Sequence, residues 1–323
     1  MHISLWLYLP ALIATSLAQT TKCTPAINRT ISNWLYTSDL SLATPFLDRP
    51  DIDGIQLLYS WASLEPSEEA YNWTQISTDL SFVLSRNKKL WIQLQDRSFS
   101  LGNYAVPRYM RGKPEYSNGS VLSCDGDCST NFTGSGWAAV QWSPSVRARY
   151  QDLLAAMAAK FDGKILGMNL PETSISVDET QNNFSSDTYY NGTLANAKSA
   201  AEAFEQSYVV QYVNFWPDDV NGPNSYLNRS FAYFARYHIG IGGPDDIPYA
   251  YYQEQNSYPL FDKYRNQVPI SVIAVQEPDL QKINKDTGKP FTKEEFTDFA
   301  IDCLGAKIMF WALSADWLKQ PVS

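Results

Sequence analysis

Eight short apolar runs recur along the chain, separated by longer segments that are polar or amphipathic. We interpret the runs as buried strands at 31–37, 54–61, 89–96, 164–172, 208–216, 237–243, 269–277 and 306–313. Between them, apolar residues recur every three or four positions, the period of a helix, at 74–87, 145–160, 193–206, 224–236 and 292–304. Eight alternating strand and helix units predict an α/β fold in which a parallel sheet closes into a (β/α)8 TIM barrel.

The alternative arrangement is an open, doubly wound sheet. Such a sheet usually carries a glycine-rich phosphate turn after its first strand, and none follows the run at 31–37. No linker rich in Pro, Gly or Ser divides the chain, so we predict a single domain over 19–323. A long insert at 97–142 follows the third strand, and 173–192 follows the fourth. We expect both segments to border the strand-end face, where the active sites of barrels lie.

The N-terminal residues have an apolar core followed by small residues at Ser16 and Ala18. This pattern is typical of a secretory signal peptide, which we place at 1–18. The apolar core is shorter than the roughly 20 residues that a membrane span needs. We therefore predict a secreted, extracellular protein.

Asn-x-Ser/Thr sequons also favour export, because they are acceptors for N-linked glycans. Seven occur, and we predict a glycoprotein with surface glycans at Asn28, Asn72, Asn118, Asn131, Asn183, Asn191 and Asn228.

Four cysteines, an even number, fit two disulfides in an oxidising compartment. Three pairings are possible. The spacing in CDGDC favours Cys124 with Cys128, which leaves Cys23 and Cys303 to join the two ends of the chain. Zinc is the competing interpretation, but there is no CxxC pair and only His238 follows the signal segment, so we predict no metal site.

The net charge of −9 and the pI near 4.8 argue against nucleic acid or an anionic membrane as a partner. We expect a monomer that needs no cofactor.

Two of the predicted strands, KILGMNLPE and PISVIAVQE, end in a glutamate. Glu172 and Glu277 would then lie at the same end of the barrel, on strands four and seven. Hydrolysis of a glycosidic bond needs two such carboxyl groups, one to donate a proton and one to attack or stabilise the sugar cation. The alternative for each glutamate is a structural acid paired with Arg or Lys.

Three segments resemble the clan A glycoside hydrolases. GIQLLYSWASLEPSEEAYNWTQI is similar to their strand-two segment, KLWIQLQD to their third strand and IMFWAL to their eighth. The resemblance implies retaining hydrolysis of a polysaccharide, extracellular or of a cell wall, with Glu172 as acid/base and Glu277 as nucleophile. In that clan an Asn usually precedes the acid/base, whereas this chain has Pro171. A barrel that binds carbohydrate without catalysis is the second hypothesis.

Sugar rings have apolar faces that stack on aromatic side chains, and 14% of this chain is aromatic. We predict a substrate-binding role for residues near strand ends, with core packing or turn capping as the alternative: Trp311, Trp61, Trp216, Tyr59, Asp96, Asn169 and Asp245. Asp96 and Arg97 are also predicted to form an ion pair that orients the site.

Overall fold

The computed structural model describes residues 23, 25–26, 29–124, 128, 134–219 and 222–322. Eight parallel strands close into a barrel, in which each strand pairs with the next along the chain and the last pairs with the first. They are β1 Ser32–Thr37, β2 Gly54–Ser60, β3 Lys89–Gln95, β4 Gly167–Leu170, β5 Tyr208–Tyr212, β6 Gly240–Gly243, β7 Ser271–Val275 and β8 Ile308–Ala312. The prediction of a TIM barrel is confirmed.

Helices surround the barrel. In the described residues they are Leu40–Leu47, Trp61–Leu64, Thr74–Leu84, Pro144–Phe161, Ser186–Ala203, Tyr226–Arg236, Tyr251–Glu254, Tyr258–Tyr264 and Lys293–Asp302. The five predicted helices are all present. Leu40–Leu47 and Tyr258–Tyr264 were not predicted, since each is short and Pro45 or Pro259 interrupts its pattern. None of the helices in these ranges is both long and apolar enough to cross a bilayer.

Side chains inside the barrel come from alternate positions of each strand. They form a separate apolar cluster of Trp34, Trp91, Val210, Tyr212, Ile270, Val272, Ala274, Ile308 and Phe310. Neighbouring positions point instead to the helix layer, because side chains along a strand alternate between its two faces. The same alternation decides which residues at the strand ends reach the barrel mouth.

Two glycines leave room for large rings in this interior. A Cβ atom on Gly167 would lie 2.6 Å from the Trp91 ring, and one on Gly242 would lie 2.5 Å from the Tyr212 ring. The glycine-rich run that forms β6 is therefore explained by packing.

The insert at 97–142 forms an antiparallel sheet of Arg97–Ser98, Gly134–Ala139 and Ser120–Cys124. Residues of its first part, from Arg97 to Arg111, contribute a wall of the cleft at the barrel mouth. This part of the insert therefore lies at the strand-end face.

Both favoured disulfides are present, Cys124 with Cys128 and Cys23 with Cys303. The second joins the N-terminal segment to the end of the last long helix, and Arg29 adds ion pairs to Asp298 and Asp302 on that helix.

The sequon asparagines differ in their surroundings. Asn72, Asn118, Asn183 and Asn191 are exposed, whereas Asn228 is half-buried and its amide donates to the carbonyl of Gly222 at 2.9 Å. The signal segment 1–18, Asn28 and Asn131 lie outside the described residues.

Candidate active site at the barrel mouth

A cleft of about 880 Å³ opens at the carboxyl ends of the strands. This volume lies in the range of small-molecule sites. Strand ends, the insert and the loops after β4, β6 and β7 line it, with Tyr36, Leu58, Ser60, Gln93, Gln95, Ser98, Phe99, Tyr104, Arg111, Glu172, Tyr212, Pro244, Asp245 and Gln276 among the lining residues.

Glu172 lines this cleft and is half-buried. Asn214, which follows β5, donates from Nδ2 to Oε2 of Glu172 at 2.6 Å. The Asn214 amide is held in this orientation because its Oδ1 accepts the backbone N–H groups of Ser174 at 3.0 Å and Phe215 at 2.8 Å. The carboxylate therefore has a fixed position and a fixed donor. Sequence reasoning missed Asn214, although it continues the inward alternation of Val210 and Tyr212.

Arg97 supports the same region from below. Its Nε lies 3.2 Å from Oδ1 of Asp96, so the predicted ion pair is confirmed, and its Nη1 donates to the carbonyl of Ser174 at 2.5 Å. Burial lowers the pKa of Arg97, but the nearby charges of Tyr189, Asp96 and Glu172 raise it more, and the net pKa is raised. Asp96 also accepts from the side chain of Gln141 at 2.9 Å. Asp96 is thus buried in a structural network and is not one of the cleft-lining residues.

Asp245 also lines the cleft, two residues beyond β6. No hydrogen bond from the described part of the chain reaches its carboxyl group. Burial first, and then the negative charge of Glu172, raise the pKa of Asp245 to about 6, while Lys282 acts in the opposite direction. Asp245 and Glu172 are therefore two carboxyl groups that share one cleft and influence each other electrostatically.

The end of β7 presents an amide to the cleft. Gln276 lines it and donates from Nε2 to the carbonyl of Pro244 at 2.8 Å. The next residue, Glu277, is exposed and is not one of the lining residues. Strand alternation explains this, because Val272 and Ala274 point into the barrel and Gln276 follows them.

Glu277 nevertheless lies near the rim of the cleft. Burial first, and then the charges of Glu277, Asp245 and Glu172, raise the pKa of Tyr36 to about 12. The Tyr36 hydroxyl is thus close enough to sense all three carboxylates. The role of Glu277 as nucleophile stays a prediction.

The aromatic residues predicted to stack on sugar lie outside the cleft. Trp61, Trp311, Trp216 and Tyr59 are at most 6% exposed. Their polar atoms donate to Glu65 at 2.7 Å, Asn33 at 3.0 Å, Ser230 at 3.3 Å and Asp79 at 2.7 Å, respectively. Their rings pack in the core and leave no open face for a sugar.

Other aromatic residues border the cleft instead. Phe99 is 71% exposed, and Tyr104 stacks on Trp137 with ring centroids 4.6 Å apart. Both Phe99 and Tyr104 come from the insert, where no strand or helix period indicated their direction.

Asn169 lies inside the barrel beneath the cleft and is fully buried. Its Oδ1 accepts from Gln56 at 2.8 Å and from Trp91 at 3.1 Å, so its hydrogen-bonding capacity is used within the protein. Above it, Gln93 and Gln95 line the cleft, and their Oε1 atoms have no partner among the described residues. Sequence reasoning missed these two amides as candidate contacts for sugar hydroxyl groups.

Comparison with known proteins leaves the family open. No family model matches the chain, and no curated protein sequence matches it significantly. Solved structures do match, over most of the chain. Xylanase 10B from Thermotoga petrophila RKU-1, in complex with xylobiose, is 13% identical with a TM-score of 0.53, covering 88% of this chain and 82% of the xylanase.

Two further structures are similar to the same extent. Endo-glycoceramidase II from Rhodococcus sp. is 13% identical with a TM-score of 0.52, covering 87% of this chain and 73% of that protein. A GH10 protein from Paenibacillus barcinonensis is 12% identical with a TM-score of 0.50, covering 89% and 87%. At this low identity, the likeness demonstrates a shared barrel fold.

Proposed function

We propose that this protein hydrolyses glycosidic bonds in the cleft at the barrel mouth, with Glu172 as one of two catalytic carboxyl groups. The observation that carries the proposal is that Glu172 and Asp245 line one ligand-sized cleft at the carboxyl end of a closed barrel. The similar solved structures include a xylanase and an endo-glycoceramidase, whose names denote hydrolysis of such bonds. Most glycoside hydrolases use two carboxyl groups placed on either side of the bond they cleave, and this cleft supplies two.

The substrate we propose is an extracellular or cell-wall polysaccharide. Phe99, which is 71% exposed, offers an apolar face for a sugar ring, and the side-chain amides of Gln93 and Gln95 line the same cleft. We move the proposed stacking role from the three buried tryptophans to Phe99, because the Tyr104 ring already packs against Trp137 and Arg111. Secretion is part of the proposal, supported by the N-terminal segment, the disulfides and the sequons.

The resemblance to clan A assigns the second carboxyl group to Glu277 and implies retention of configuration. In that arrangement the two carboxyl groups stand about 5–5.5 Å apart. Glu277 is exposed and does not line the cleft, whereas Asp245 does. The identity of the second catalytic group is therefore tested separately from the hydrolytic activity.

A second candidate function is carbohydrate binding without catalysis. The observation that favours it is Gln276, an amide in the inward position at the end of β7, where the resemblance calls for a nucleophilic carboxylate. An amide there would hydrogen-bond a sugar but could not attack it.

The test is hydrolysis of a panel of polysaccharides and aryl glycosides by the secreted protein. Glu172→Gln should lower kcat/KM by at least about 100-fold on any substrate found. Glu294→Gln, the same change at an exposed position on the helix Lys293–Asp302, is the matched control. Unchanged activity of Glu172→Gln would refute the proposal. Glycan binding without turnover would establish the second candidate.

A further inference from the structure

The cleft contains a carboxyl group that the resemblance to clan A does not assign to catalysis. Asp245 reaches the cleft from the loop after β6, between Glu172 on one side of the barrel and Gln276 on the other. The side chain at the inward position of β7 is an amide, which can neither donate a catalytic proton nor attack. Among the cleft-lining residues, Glu172 and Asp245 are the carboxyl groups.

The hydrogen-bond surroundings of these two carboxyl groups differ. Glu172 accepts a hydrogen bond from Asn214, and a donor directed at a carboxylate stabilises its negative charge. Asp245 has no such donor among the described residues, is half-buried, and has Glu172 and Lys282 as charged neighbours. Its pKa is raised to about 6, first by burial. Two carboxyl groups with diverging environments are the usual basis for assigning an acid and its ionised partner.

We propose that Asp245 is the proton donor of this active site and that Glu172 is its ionised partner. This inference rests on the proposed glycosidic hydrolysis, and it replaces both assignments that the resemblance implies. Gln276 is then a substrate-binding amide, and Glu277 has no place in the reaction.

The reaction then proceeds in two steps. In the first, the Asp245 proton moves to the glycosidic oxygen as the bond to the anomeric carbon breaks, and the electron pair of that bond stays on the leaving oxygen. A carboxylate oxygen of Glu172 donates an electron pair to the anomeric carbon and forms an ester. In the second step water attacks this carbon, its proton passes to Asp245, and the electron pair of the ester bond returns to Glu172.

The experiment compares two aryl glycosides of the hydrolysed sugar, one with a dinitrophenyl leaving group and one with an unsubstituted phenyl group. A phenolate that is a poor leaving group needs the proton, whereas dinitrophenolate departs without it. Asp245→Asn should lower kcat/KM about 100-fold or more on the phenyl glycoside and less than about 10-fold on the dinitrophenyl glycoside. Glu172→Gln should lower both to a similar extent. Asp286→Asn, at an exposed position outside the cleft lining, is the matched control.

The outcomes separate the inference from the function it rests on. If the wild-type protein hydrolyses the substrates and Asp245→Asn matches it, or loses both activities equally, the inference is wrong and the proposed function stands. The inference is also wrong, and the function again stands, if Glu277→Gln shows the leaving-group pattern. If the wild-type protein hydrolyses nothing, both fall together.

If Asp245→Asn does not fold, a pH profile of the wild-type protein tests whether Asp245 is the proton donor. Wild-type kcat/KM on the phenyl glycoside should decline above about pH 6, as Asp245 loses its proton, while the dinitrophenyl profile stays level there. A decline that is the same for both substrates would overturn the inference. The titratable groups that face Asp245 from the surrounding segments are Glu172, Lys282, Asp279, Tyr36, Tyr212 and Tyr258.

Discussion

Asp279 behind β7 makes the stability of this protein dependent on pH. It is 2% exposed, and its Oδ2 accepts the backbone N–H of Gln276 at 2.7 Å. Burial first, and then the negative charge of Asp245, raise its pKa to about 8 from an ordinary value of 3.8. A carboxyl group whose pKa is raised by folding stabilises the protein fully below the unfolded-state pKa. That contribution is lost as the pH rises toward 8.

The magnitude follows from the two pKa values of Asp279. Each pH unit between the unfolded and folded values changes the free energy of unfolding by about 1.4 kcal/mol. Between pH 5 and pH 8 the wild-type protein should therefore lose about 2–4 kcal/mol of stability through this residue. Asp279→Asn removes the titration but keeps an oxygen for the Gln276 N–H. The variant should lose this share of the pH dependence, and the dependence that remains comes from Asp245 and Asp246, whose pKa values burial also raises.

The assay is urea unfolding followed by tryptophan fluorescence at pH 5 and pH 8. The expected result is a wild-type midpoint that is clearly lower at pH 8, and an Asp279→Asn midpoint that changes much less. Asp286→Asn, an exposed position with the same chemical change, should behave like the wild type. Equal midpoints for the wild type at the two pH values, or an equal decline in Asp279→Asn, would refute the reasoning.

Three further predictions concern single contacts. Asn214→Ala removes the hydrogen-bond donor to Glu172, the proposed catalytic residue, and should lower kcat/KM about 10- to 100-fold with little change in the melting temperature, measured by steady-state kinetics and calorimetry. Glu65→Gln leaves the buried Arg149 without its fully buried carboxylate partner and should lower the free energy of unfolding in urea by about 3 kcal/mol. A decrease below about 1 kcal/mol would contradict this. Replacing both Cys23 and Cys303 by Ser opens a loop of 280 residues and should cost about 2–5 kcal/mol, and an unchanged unfolding midpoint would argue against it.

The barrel could be predicted from the sequence because its strands are buried on both faces. The run at 306–313, for example, is apolar except for Lys307, and polar segments separate such runs clearly. Strand ends were less predictable: the run at 208–216 extends beyond β5, which ends at Tyr212, and the run at 269–277 extends beyond β7, which ends at Val275. In both runs the sequence pattern continues beyond the last hydrogen bond between strands. Composition alone therefore does not show where a strand ends.

The site was only partly predictable for the same reason. Glu172 and Asp245 were named from their positions after apolar runs, and both line the cleft. Trp311 was assigned to the sugar site because it lies near a strand end, but it is adjacent to the inward Phe310 and so points to the helix layer. Phe99 and Tyr104 were out of reach, because their positions depend on the irregular insert.

Glu172 enters the cleft and Glu277 does not, and the residue before each glutamate, Pro171 or Gln276, explains the difference. β4 ends at Leu170, and Pro171 has no N–H to extend the strand ladder, so the chain is free to turn Glu172 toward the cleft before Thr173 donates to the carbonyl of Tyr212 at 3.1 Å. Pro171 is therefore part of how this protein positions the Glu172 carboxylate.

At β7 the strand alternation is kept instead. The Gln276 N–H donates to Asp279, and this contact holds Gln276 inward as Glu277 points to solvent. The carboxyl group that shares the cleft with Glu172 is therefore that of Asp245, in the loop after β6, and this arrangement is the reason we propose Asp245 as the second catalytic group.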